Sequence, residues 1–156
     1  MIVVSDTSPI CYLLLIDQIE ILPTLYGVII IPQAVADELS ADNAPSIVKK
    51  WIAHPPEWLQ IQVIAIPQNV DLEKLDRGER EAISLAEQRN ADLVILDDKA
   101  ARRAALERGL RIIGLIGILK DAAQSELIDL EIVFTQLREV GFWVMPSLLE
   151  RLLRDN

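Results

Sequence analysis

The chain predicts an α/β fold of three layers, α/β/α, around a mostly parallel central sheet. Short apolar runs rich in β-branched residues alternate with longer amphipathic segments, the signature of successive βα units. A length of 156 residues, 51% of them apolar, is enough for one domain with a substantial core. No repeat, low-complexity tract or Gly/Ser linker divides the chain. Residues 1–156 are therefore expected to form a single domain, with 129–156 as a C-terminal helical extension.

Strands are expected at Ile2–Ser5, Val28–Ile31, Leu59–Ile64, Leu93–Leu96 and Arg111–Ile113, where apolar and β-branched side chains suit burial on both faces. Helices fill the gaps. Ser8-Pro9 has the form of an N-cap followed by proline at the first helical position. Pro32 opens a second helix running to about Ser40, and Pro45 to Ala53 holds a third before His54-Pro55-Pro56 breaks the chain. A helix starts at Asp76-Arg77-Gly78-Glu79 and runs to about Arg89. Another spans Asp98 to Arg108 and is ended by Gly109, placed as a C′ glycine. Gly114 to Gln124, Leu130 to Val140 and Pro146 to Leu153 complete the set. The last two are joined through Gly141-Phe142-Trp143 and either fold back on the domain or present a docking surface.

Composition excludes several classes. No apolar run approaches the ~20 residues needed to span a bilayer. The N-terminus has no basic leader and carries Asp6 inside its apolar stretch, so it does not read as a signal peptide. Cys11 is the only cysteine, so no internal disulfide forms, which suits a reducing cytoplasm. A cytoplasmic domain with no membrane association is expected. The net charge of −9 argues against a nucleic-acid footprint over the whole surface. Its distribution does not: residues 1–98 carry six Lys/Arg against sixteen Asp/Glu, a net of −10, whereas residues 99–111 carry five against one, a net of +4. That strip is either a solvated helix face or a place to hold a phosphate backbone. Nothing resembles a Gly-rich phosphate loop, a nucleophile elbow or a dinucleotide fingerprint.

The acids are more informative. In an open parallel sheet, ligands bind outside the carboxyl ends of the strands. Asp6 directly follows the first expected strand and Asp97-Asp98 the fourth. Helical phase adds two more. Glu79 shares a face with Ala82, Ile83 and Ala86, at +3, +4 and +7, which turns it toward the protein and Glu81 toward solvent. Glu38 falls within the stripe Ile31, Ala34, Val35 and Leu39, and Asp37 faces away. A buried acid is costly unless paired or metal-bound. Each acid has a purely structural alternative: an Asx turn for Asp6, a capping box for Asp76 and Glu79, a helix cap for Asp97 or Asp98, a stripe-border position for Glu38. Together, with two at strand ends, they point to a shared cation. Oxygen ligands select Mg²⁺ or Mn²⁺. With His54 and Cys11 the only imidazole and thiol, zinc is excluded. A cluster of this kind holds one or two cations, activates water for attack on phosphorus and stabilises the departing oxygen.

These same residues carry a resemblance to a known family. Val3-Val4-Ser5-Asp6-Thr7-Ser8-Pro9 resembles the opening of a PIN domain, with Ser8 at a small hydroxyl position that often supports the first aspartate. Ile31 to Leu39 resembles the second acidic motif, with Glu38 in the ligand position. Asp76 to Ala86 is similar to the Gly-Glu-x-Glu-Ala-Ile form of the third motif, where Glu79 stands in place of a commoner aspartate. Leu93 to Lys99 resembles the fourth, with Asp98 favoured and Asp97 close behind. The four ordered motifs cover nearly the whole chain and point to the VapC-like toxin branch. That resemblance implies a Mg²⁺- or Mn²⁺-dependent endoribonuclease, frequently dimeric, held inactive by a small cognate antitoxin.

The expected catalytic set is therefore Asp6, Glu38, Glu79 and Asp98, with Asp97 assisting at the metal and Ser8 in support. Lys99, Arg102 and Arg103 are expected to steer RNA by its phosphates. Two alternatives stand beside this reading. A Mg²⁺-dependent phosphotransfer domain also gathers acids at strand ends, but a receiver wants its acidic pair after the first strand and a haloacid-dehalogenase phosphatase wants Asp-x-Asp where this chain has Asp6-Thr7-Ser8. The other is a PIN-like interaction module without catalysis.

Overall fold

The structure, a computed structural model, describes residues 1–65, 72–142 and 146–154. Five strands, β1 (Val3–Ser5), β2 (Ile29–Pro32), β3 (Leu59–Gln62), β4 (Leu93–Ile95) and β5 (Ile112–Ile113), form one sheet in the order β3-β2-β1-β4-β5. Every pairing is parallel. All five expected strands are present. The third stops two residues early, because β2, its sole neighbour, turns into a helix after the Pro32–Gln62 pair and leaves Val63 nothing to bond.

Between and after the strands lie α1 (Thr7–Leu15), α2 (Ile21–Tyr26), α3 (Gln33–Leu39), α4 (Ser46–Ala53), α5 (Arg77–Arg89), α6 (Lys99–Glu107), α7 (Leu115–Gln124), α8 (Leu130–Glu139) and α9 (Pro146–Arg154). The layers follow from the two-residue period of a strand. Val3, Ile29, Ile31 and Ile95 point into the larger core, packed by α1, α3, α4, α7 and α8. Val4, Ile30 and Val94 point into the smaller one, under α5 and α6. α8 folds back, burying Leu130, Val133, Phe134 and Leu137 in the larger core, and α9 adds Leu152. Trp143 of the expected connection lies outside the described residues. Among the described residues no helix is long and apolar enough to cross a membrane.

Local chemistry corrects three expectations. α2 escapes the periodicity reading because it has only six residues with a proline inside, and what holds it is the burial of Ile21 and Leu22. Ser8 is not an N-cap: α1 begins at Thr7, straight off the strand, and Asp6 occupies the cap position with extended backbone. Asp6 makes no side-chain cap bond, so its carboxylate stays available all the same. Glu81 does not face solvent. It is 5% exposed, accepts the Ala34 N–H at 3.1 Å and pairs with Arg77 Nε at 3.0 Å. α5 is packed against α3 as well as the sheet, and Glu81 satisfies a donor that the first turn of α3 would otherwise leave open.

Candidate metal centre

After β3 the chain crosses to the far side of β1, so the β1–β4 pair is the topological switch point of the sheet, where a crevice opens beyond the strand ends. Asp6 and Asp97 leave the sheet there. The Asp6 N–H continues the ladder by donating to Ile95 O at 3.0 Å, which fixes the root of its side chain. α3, from the larger core, brings Glu38, and α5, from the smaller core, brings Glu79. All five expected acids, Asp6, Glu38, Glu79, Asp97 and Asp98, line one cleft of about 630 Å³. Asp76, Thr7 and Ser8 line it too.

Four of the five carboxylates are anchored by donors of the fold. Glu38 Oε1 accepts the Gly78 N–H in the first turn of α5 at 3.1 Å, and Thr7 Oγ1 donates to Glu38 Oε2. A helix N-terminus is a favourable place for an anion. Gly78 leaves room for that carboxylate: a Cβ would lie within 2.9 Å of Glu38 Cδ and Oε2, so Glu38 would have to shift. Glu79 takes part in the capping box with Asp76, at 2.8 and 3.1 Å, so that structural role is real and coexists with a place in the cleft. Asp97 Oδ1 accepts the Leu115 N–H at 2.8 Å, and Asp98 Oδ2 accepts the Ala101 N–H at 2.9 Å as the cap of α6. Of this pair Asp97 is the half-buried member and Asp98 the exposed one.

The electrostatics are unfavourable for the acids alone. Burial pushes the Asp6 carboxyl up to about 7; the Thr7 N–H opposes this, and the charges of Asp76, Glu38 and Asp97 add to it. Burial likewise pushes Glu79 up to about 7, opposed by the Asp76 N–H and reinforced by the charges of Asp76, Asp98 and Asp6. Asp97 is raised by burial, with the Leu115 N–H and the Arg102 charge working against the shift. Asp6 Oδ1 and Asp97 Oδ2 are buried with no hydrogen-bond partner among the described residues. Among the described residues no Lys or Arg forms a salt bridge with any of the five acids. Unpartnered buried oxygens of this kind are rare and costly.

A hard divalent cation fits these carboxylates, which offer oxygen ligands, two of them unsatisfied among the described residues. The side chains are not drawn tight: among the described residues no three His, Cys, Asp or Glu stand close enough to enclose an ion as placed. Like charges facing one another, with Glu38, Glu79, Asp97 and Asp98 each tethered by a backbone N–H, account for that spacing.

The basic residues divide. Lys99 and Arg103 are exposed on α6. Arg102 is half-buried, and its Nη1 and Asp97 Oδ1 crowd the same glycine: a Cβ on Gly114 would meet them at 2.5 and 2.7 Å. Sequence reasoning missed Thr7, Asp76 as a cleft residue, and the two glycines. Asp76 was visible in the Asp-x-x-Glu spacing and Gly78 in the Gly-Glu-x-Glu-Ala-Ile motif, but neither had been given a role in the cleft.

Parallel strands in this order, with carboxylates gathered at the switch point, define an α/β domain built around an acidic centre. A family profile described as a PIN domain matches residues 2–156, and the chain belongs to the PIN-domain family. PIN domains are as a family nucleases, hydrolases acting on nucleic acids, and typically use divalent metal ions. No curated protein and no solved structure matches the chain.

Proposed function

We propose that the protein is a Mg²⁺- or Mn²⁺-dependent endoribonuclease of the VapC-like branch. It acts as the toxin of a toxin–antitoxin pair, a cytoplasmic homodimer restrained by a small cognate antitoxin. The observation that carries the catalytic part is the pair of unsatisfied buried oxygens, Asp6 Oδ1 and Asp97 Oδ2, at the ends of neighbouring strands. Asp6, Glu38, Glu79, Asp97 and Asp98 would hold the ion, with Asp97 the more enclosed of the last two. When bound, the cation supplies a lowered water pKa and neutralisation of charge on phosphate. Thr7 and Gly78 keep Glu38 aimed, and Ser8 supports the rim. Lys99, Arg102 and Arg103 take the strand by its phosphates, with Arg102 also offsetting the Asp97 charge.

The test is incubation of the purified protein with a circular single-stranded RNA and the matching DNA circle, in Mn²⁺ and after chelation. Opening of the RNA circle only when metal is present is expected. Intact RNA in both Mn²⁺ and Mg²⁺ would leave a non-catalytic interaction module. Preferential opening of the DNA circle would replace the substrate assignment.

A further inference from the structure

The cleft that holds the acids has a second, apolar wall. On α1, Thr7, Cys11 and Leu15 lie four residues apart, as do Ser8 and Tyr12, so one helical face runs from beside Asp6 outward along the cleft. The opposite face of α1, with Ile10, Leu13 and Leu14, is buried in the core, whereas Cys11, Tyr12 and Leu15 stay half-buried. Val140 and Phe142, just past α8, close the wall. Tyr12 and Phe142 meet edge to face, with ring centroids 5.0 Å apart and planes at 77°.

This is an incomplete way to bury aromatics. The rings belong to a cleft whose other wall is a row of carboxylates, and a cleft of about 630 Å³ is the size of a small-molecule site. A ligand that spans both walls needs a phosphate, held through cations at the acids, and a flat apolar group within one residue of it. An unpaired nucleotide has both, since every base offers a π-face for aromatic stacking whatever its identity. A base in a duplex has both faces covered by its neighbours.

We infer that Tyr12 and Phe142 form a stacking platform for an unpaired base next to the scissile phosphate. The inference rests on the ribonuclease reading of the acidic wall, and the two fail separately in the following test. Tyr12→Leu and Phe142→Leu are compared with the unaltered protein on a single-stranded RNA and on the same RNA lacking one base beside the mapped cleavage site. Either variant is expected to lower kcat/KM on the complete RNA roughly tenfold, mainly through KM. The losses from the variant and from the missing base should not add, as in a double-mutant cycle between contacting groups. Additive losses would overturn the platform. A 2-aminopurine placed in the RNA gives a readout independent of cleavage. Its fluorescence should be quenched on binding in Ca²⁺, which the same oxygen ligands can hold in place of Mn²⁺, and remain bright with Tyr12→Leu. Absence of quenching by the unaltered protein overturns the platform even if RNA is cleaved; quenching without cleavage sustains it and removes the catalytic reading.

Discussion

Asp6→Asn is expected to lower metal-dependent RNA cleavage by about 10³-fold, the scale seen when a single charged-state stabiliser is removed from a reaction centre. The amide matches the carboxylate in size, and the backbone bond from residue 6 to Ile95 O does not involve the side chain, so the sheet should be undisturbed. Metal-free stability should move the other way, and the sign follows from linkage. The Asp6 carboxyl titrates near 7 when folded, against an ordinary value of 3.8, so between about pH 4 and pH 7 the folded chain holds a proton that the unfolded chain has lost. That contribution is complete below the lower value and disappears as pH rises through 7. Glu79, raised from 4.5 to about 7, acts in the same direction. The chelated protein should therefore melt lower at pH 8 than at pH 5, by roughly 5–10 °C if the loss is a few kcal/mol. Asp6→Asn should flatten the decline, and Mn²⁺ should abolish it in the unaltered protein. A steeper decline in the variant would mean that Asp6 is not the strained carboxylate.

Gly78→Ala is the second large effect, expected near 10²-fold in cleavage, because a reacting or ligating group displaced by about 1 Å costs on that order. Helix propensity favours alanine by at most roughly 0.5–1 kcal/mol, less in a first turn such as this than in a helix interior. The methyl would nevertheless enter the space of the Glu38 carboxylate, which takes its hydrogen bond from the Gly78 N–H. Stability should thus change little while Mn²⁺ affinity and cleavage both fall. Calorimetric titration with Mn²⁺ beside a melting curve separates these outcomes. Cleavage at the normal rate would show that the position of Glu38 is not critical.

Much of this arrangement was legible in the residue order, for physical reasons that can be named. The strands could be read because burial on both faces forces continuous β-branched runs such as Ile29 to Ile31. Asp6 and Asp97 could be placed because a parallel sheet sends every strand's carboxyl end to the same edge. Helical phase located Glu38 and Glu79 correctly and failed at Glu81, since a single hydrophobic stripe cannot register that α5 is flanked by α3 as well as by the sheet. The need for Gly78 and Gly114 was hidden, because it arises from side chains 40 and 12 to 17 positions away in the chain. The aromatic wall was invisible too: Tyr12 and Phe142 are 130 residues apart, and only the return of α8 brings them together.

The proposed chemistry depends on acids far apart in the chain sharing a divalent ion. Diffraction at the manganese absorption edge from crystals soaked in Mn²⁺ tests this most directly. The predicted result is an anomalous peak in the switch-point cleft, bound by Asp6 and Asp97 with Glu38 and Glu79 drawn inward. A cleft without manganese, with the Asp6 and Asp97 oxygens bonded only to water or protein, would contradict it.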